Sequence, residues 1–108
     1  MEGYLLNYRT NLSALEMTKL NSSLFGRVIN TTKNNRKRYY FYSGLLDSIR
    51  YIKICKGCYF IENRSDNDFD IPSEIKVREC NLNITEDILQ TPRELFREKY
   101  TNIRVVNL

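Results

Sequence analysis

The chain has 108 residues, 42% of them apolar and 28% charged, with a net charge of +4, which points to one small globular domain with room for a single core. No apolar run approaches the roughly 18 residues of a bilayer span, and the start MEGYLLNYRT has no apolar signal core, so the expectation is an intracellular protein, cytoplasmic or nuclear, without membrane contact. Histidine is absent, which excludes His-based triads and His-ligated metal sites and leaves lysine, tyrosine and carboxylate chemistry open.

In chain order, Leu12, Leu15, Met17 and Leu20 within residues 11–21 have the spacing of a short helix that Asn11 or Ser13 would cap. LFGRVIN at 24–30 reads as a strand with a bulge at Gly26. The polar stretch around Asn34-Asn35 is a turn tolerant of left-handed backbone. RYYFYS at 38–43 is a strand by aromatic density, and GLLDSI is a helical turn or a connector. RYIKIC at 50–55 and CYFIEN at 58–63 flank Lys56-Gly57, the clearest hairpin signal in the chain. After an acidic loop over 64–74, IKVREC at 75–80 alternates as a strand does. Asn83 with Glu86 fits a capping box for a helical piece at 84–90. Thr91, Pro92 and Glu94 mark a second helix start at 92, and NIRVVN could supply a last strand. The expected architecture is a single α+β domain over 1–108. It has a mostly antiparallel sheet of four or five strands, OB-like barrel or open sheet, with a short N-terminal and a longer C-terminal helix.

Charge is unevenly distributed. Residues 1–63 carry ten basic and four acidic side chains, and residues 64–108 carry seven basic and nine acidic. A basic half on a small domain suggests a polyanion, because neutralising phosphates releases counterions. Lys33, Arg36, Lys37 and Arg38 lie in or beside a turn, where long cationic side chains reach a phosphate backbone. If Lys56-Gly57 is a two-residue turn, Tyr51, Lys53, Cys55, Cys58, Phe60 and Glu62 share one hairpin face, while Ile52, Ile54, Tyr59 and Ile61 look like core. Strand alternation separates Arg38, Tyr40 and Tyr42 from Tyr39 and Phe41. A sheet face of Arg38, Tyr40, Tyr42, Tyr51, Lys53 and Phe60 would stack unpaired bases and hold phosphates. The plainer alternative packs these aromatics under a helix.

Other chemistry is thinner. Cys55-x-x-Cys58 has zinc-knuckle spacing and Cys80 could be a third ligand, but a structural site wants four and the chain has neither a second knuckle nor histidine. Free thiols are the preferred reading, and a redox disulfide ranks low because that motif usually opens a helix. Asp66, Asp68 and Asp70 imitate half of an EF-hand loop, but Ile71 and Val77 stand where glycine and glutamate belong. Five N-x-[ST] triplets, starting at Asn11, Asn21, Asn30, Asn63 and Asn83, are not read as glycosylation sites without a signal peptide. Glu74, Lys76 and a distant Asp47 fit a metal-dependent nuclease pattern only loosely.

The expected function is therefore non-enzymatic binding of single-stranded RNA or DNA, with no cofactor, by Lys33, Arg36, Lys37, Arg38, Tyr40, Tyr42, Tyr51, Lys53 and Phe60. The alternatives are a viral or phage accessory protein that binds and inhibits a host protein complex, and a small metal-dependent nuclease.

Overall fold

The computed structural model describes residues 1–63, 71–100 and 103–106, the last four as backbone only. Its elements are β1 (Glu2–Tyr8), α1 (Ala14–Phe25), β2 (Arg27–Lys33), β3 (Arg36–Tyr42), β4 (Tyr51–Cys55), β5 (Cys58–Glu62), β6 (Ile75–Asn81), a 3-10 turn at Glu86–Ile88, α2 (Pro92–Lys99) and β7 (Ile103–Val106). The class is α+β, as expected. The strands form two sheets: an antiparallel one in the order β4-β5-β1-β6, and a second in the order β2-β3-β7, where β3 pairs antiparallel with β2 and parallel with β7. No closed barrel forms among the described residues, so the OB-like alternative gives way to this two-sheet arrangement. No described helix is long and apolar enough to cross a membrane.

Strand β1 was not anticipated, although its alternation is plain once seen. Tyr4, Leu6 and Tyr8 point to one side, where Leu6 and Tyr8 are buried. Pairing with both β5 and β6 puts β1 inside the sheet and brings the ends of the sequence's first three quarters together. Helix α1 starts where the capping residues allow: Glu16 N–H donates to Ser13 Oγ at 3.2 Å, and Glu16 Oε1 accepts from Ser13 N–H. It runs further than expected, through Leu24 and Phe25, which are its buried last residues rather than the opening of a strand. Gly26 ends it. With φ +88° its N–H reaches the Ser22 carbonyl, and a Cβ there would lie 2.5 Å from the Tyr42 carbonyl oxygen and 2.6 Å from the Phe41 ring.

Asn34 and Asn35 both adopt positive φ, 54° and 61°, the geometry of a two-residue turn that suits the twist of β2 and β3. The Lys56-Gly57 turn also forms, with Gly57 at φ +76°. Thr91 caps α2, its Oγ1 accepting from Glu94 N–H at 3.2 Å with Pro92 in the first turn. The helix expected at 84–90 shortens to the 3-10 turn, and Thr85, not Asn83, precedes it.

The main core lies between the four-stranded sheet and α1. Leu6, Tyr8, Tyr59, Ile61 and Ile75 from the strands meet Leu24 and Phe25 of the helix, with Leu46 and Ile49 from the connector closing one side. Phe25 stacks on Tyr51 at 4.4 Å and tilts against Tyr59 at 4.6 Å. A second cluster joins the other sheet to α2, where Phe41 packs on Phe96 at 4.8 Å and Tyr39 on Tyr100 at 4.6 Å. Each helix thus covers one sheet face. The far side of the β2–β3 hairpin is left bare of both aromatic clusters.

Candidate nucleic-acid interface

Cross-strand partners share a sheet face. In the β2–β3 hairpin, the pairs Arg27 with Tyr42, Ile29 with Tyr40, Thr31 with Arg38 and Lys33 with Arg36 therefore lie on one side. The pairs Val28 with Phe41, Asn30 with Tyr39 and Thr32 with Lys37 lie on the other. Phe41 is fully buried and packs on Phe96, so this second side is the one α2 covers. On the first side Tyr40, Tyr42 and Ile29 are half-buried, and Arg27, Thr31, Lys33, Arg36 and Arg38 are exposed.

Every charged side chain that β2 and β3 place on this face is cationic. Neither β2 nor β3 contains a carboxylate. Among the described residues, no acid pairs with Arg27, Lys33, Arg36 or Arg38. Lys33 stands directly opposite Arg36 across the turn, a like-charge pair that destabilises a hairpin unless water or an anion screens it. Lys33, Asn34, Arg36 and Arg38 line a recess at this tip. At the other end the Arg27 guanidinium lies 5.5 Å from the centroid of the Tyr42 ring, a cation–π contact. Beyond Tyr42 the surface continues into a groove shared with α1, where Lys19, Ser22 and Ser43 join Arg27. From Arg36 to Tyr42 the strand covers about 20 Å. Along that line two cations, Arg36 and Arg38, are followed by two rings, Tyr40 and Tyr42, which suits a flexible polyanion bearing flat, apolar bases.

Five of the nine residues expected from the sequence meet here: Lys33, Arg36, Arg38, Tyr40 and Tyr42. Lys37 does not, because strict alternation turns it to the side of Thr32 and Tyr39. Tyr51, Lys53 and Phe60 belong to the other sheet, and they do not share a face even there. The register matches expectation at Cys55–Cys58, but a bulge between Cys55 and Lys53 shifts it by one, pairing Lys53 with Tyr59, Ile52 with Phe60 and Tyr51 with Ile61. Tyr51 is thereby turned onto the core side with Tyr59 and Ile61. Burial, then the nearby Tyr59, pushes its hydroxyl up to about 12. Burial first, and then neighbouring Tyr59 and Tyr51, also raises Tyr8 well above the usual tyrosine value. Asn21 Oδ1 accepts from both Tyr8 Oη, at 2.5 Å, and Tyr59 Oη, at 3.2 Å, so these hydroxyls serve the interior. Phe60 is fully buried on the reverse side, its ring over Gly3, where a Cβ would come within 2.5 Å of it.

Arg27, outside the residues expected from the sequence, joins this face because β2 runs from Arg27 to Lys33 and its alternation places Arg27, Ile29, Thr31 and Lys33 on one side. A second cationic recess was missed as well. Pairing of β1 with β6 gathers Arg9, Lys76 and Arg78 around Asn7 and Thr10, although two of those cations come from the net-acidic half of the chain.

The remaining motifs separate in space. Asp47 is bound by Arg93 at 2.6 Å, while Glu74 and Lys76 lie at the start of β6. No group of three metal-ligating side chains occurs among the described residues. Cys58 pairs with Asn7 and Cys80 with Gly3, four positions apart along β1 or about 13 Å, so Cys80 cannot share an ion with the other two thiols. Asp66, Asp68 and Asp70 lie outside the described residues. Compared with protein-family models, curated proteins and solved structures, the chain matches none.

Proposed function

We propose that this protein binds single-stranded nucleic acid along the bare face of the β2–β3 hairpin. The observation that carries this reading is the grouping of Arg27, Lys33, Arg36 and Arg38 with Tyr40 and Tyr42 on one sheet face free of carboxylates and turned away from α2. Phosphates would meet the guanidinium and ammonium groups, and unpaired bases would lie on the two tyrosine rings. A duplex hides its bases from such a flat face, so the strand must be single. Nothing on this face distinguishes one base from another, and binding should depend on charge and stacking more than on sequence.

The test is a fluorescence anisotropy titration of a short labelled oligonucleotide at increasing salt. Four phosphate contacts on a single strand give a slope of about −3 in log affinity against log salt, from about −0.7 per contact. Replacing Arg36 and Arg38 by alanine should flatten that slope by about 1.4 on the same relation. Lys37→Ala, on the opposite face, should leave it nearly unchanged. A slope indifferent to Arg36 and Arg38 but reduced by alanine at Arg9, Lys76 and Arg78 would move binding to the β1–β6 recess. No salt dependence at all would favour a protein partner.

A further inference from the structure

We propose that Cys55 and Cys58 form a reversible intramolecular disulfide, a modification site whose oxidant is a low-molecular-weight disulfide such as oxidised glutathione. The two residues are direct cross-strand partners at the last rung before the Lys56-Gly57 turn. Partners in an antiparallel pair have Cα atoms about 4.5–5.5 Å apart, inside the 4.4–6.8 Å range a disulfide spans. Closing the bond therefore asks for little backbone movement. The turn is itself anchored, because the Gly57 carbonyl accepts from Tyr8 N–H at 2.8 Å. Cys80 is excluded as a partner by its place beside Gly3, well beyond the roughly 7 Å limit for bridging.

The two sulfurs have different roles. Cys55 is exposed and Cys58 half-buried, and burial, followed by the neighbouring Cys55, raises the Cys58 thiol. Cys55 attacks as its thiolate: a bond forms to one sulfur of glutathione disulfide, the oxidant's S–S bond breaks, and one glutathione thiolate leaves. Cys58 then loses its proton and displaces the second glutathione from Cys55. Two protein thiols are oxidised, one small disulfide is reduced, and the two thiol protons end on the two glutathione molecules. Excess reduced glutathione reverses both steps.

Trypsin provides a direct readout, because cleavage after Lys56 leaves the two cysteines on separate peptides. After incubation of the full chain with glutathione disulfide and alkylation of the remaining thiols, the peptide 54–56 should be found joined to 57–64, with Cys80 alkylated. Cys58→Ser should accumulate glutathione on Cys55. Cys55→Ser should slow modification at residue 58 on the order of tenfold, as its thiolate is scarcer and less accessible. Full alkylation of Cys55 and Cys58, or a wild-type chain that stops at the mixed disulfide, would overturn the proposal. Equal reactivity of the two single variants would overturn the order of attack.

Discussion

The two sheets use tyrosine in opposite ways. In the four-stranded sheet, α1 lies over Tyr8 and Tyr59, their hydroxyls converge on Asn21, and Tyr51 stacks on Phe25. In the three-stranded sheet, α2 covers the Tyr39 and Phe41 side, and Tyr40 and Tyr42 stay half-exposed among cations that pair with no acid among the described residues. Ring density on a strand is the same signal in both places. What separates core from candidate platform is whether a helix has an apolar stripe to lay over that face and whether a buried acceptor awaits the hydroxyl.

The largest effect should come from breaking the covered side of either sheet. Phe41→Ala should cost about 3–5 kcal/mol and Leu6→Ala about 2–5 kcal/mol, the range for emptying a packed site, measured by denaturant melts. The comparison then sharpens on single rings. Tyr40→Ala and Tyr42→Ala should each weaken single-strand binding by about 1–3 kcal/mol while the fold persists. Tyr51→Ala should lower the melting temperature and leave the affinity of the folded fraction alone. The reverse pattern would restore the mixed face that the sequence suggested for β4 and β5.

A smaller loss is expected at the hairpin tip. Asn35→Val forces a β-branched residue into left-handed backbone at φ 61°, for about 1–2 kcal/mol, and should misalign Lys33 against Arg36. The last effect is absent at neutral pH. An unfolded tyrosine ionises near 10, whereas Tyr51 does so at about 12 and Tyr8 is also raised, so both favour the folded state below pH 10. That contribution is lost as the pH rises from 10 through 12, because the unfolded chain releases its protons first. Alkaline unfolding followed by tyrosinate absorbance should fall in this window, and Tyr51→Phe should move its midpoint upward.

Local signals were readable wherever one residue type settles the backbone by itself. Thr91 with Pro92, Asn34-Asn35 and Lys56-Gly57 each act within four residues and form as the sequence implies. Of the two caps offered for the first helix Ser13 is the one used, and the box of Asn83 with Glu86 does not form. Alternation in β3 likewise separated Phe41 from Tyr40 and Tyr42 correctly, since side-chain period in a strand needs no tertiary information. Errors arose where two signals competed. Leu24 and Phe25 suit a strand by propensity, but they complete the apolar stripe of α1, and Gly26 stops the helix rather than bulging a strand.

The sequence by itself thus determined the α+β class, the two helix starts, both two-residue turns and the cationic, tyrosine-rich character of β3, because these follow from caps, positive-φ residues and period. Tertiary structure alone decided which strands pair, and with that everything about which residues meet. A single bulge in β4 moved Tyr51 and Lys53 to the side of Tyr59 and Ile61 and so parted them from Phe60, which stays on the reverse side over Gly3. Pairing of β1 with β6 gathered Arg9, Lys76 and Arg78 from distant segments. The side α2 chose left Arg27 beside Tyr42 in the open. The physical reason is that register and helix placement are fixed by burying the greatest apolar area in one consistent arrangement, a sum over the whole chain that no local window contains.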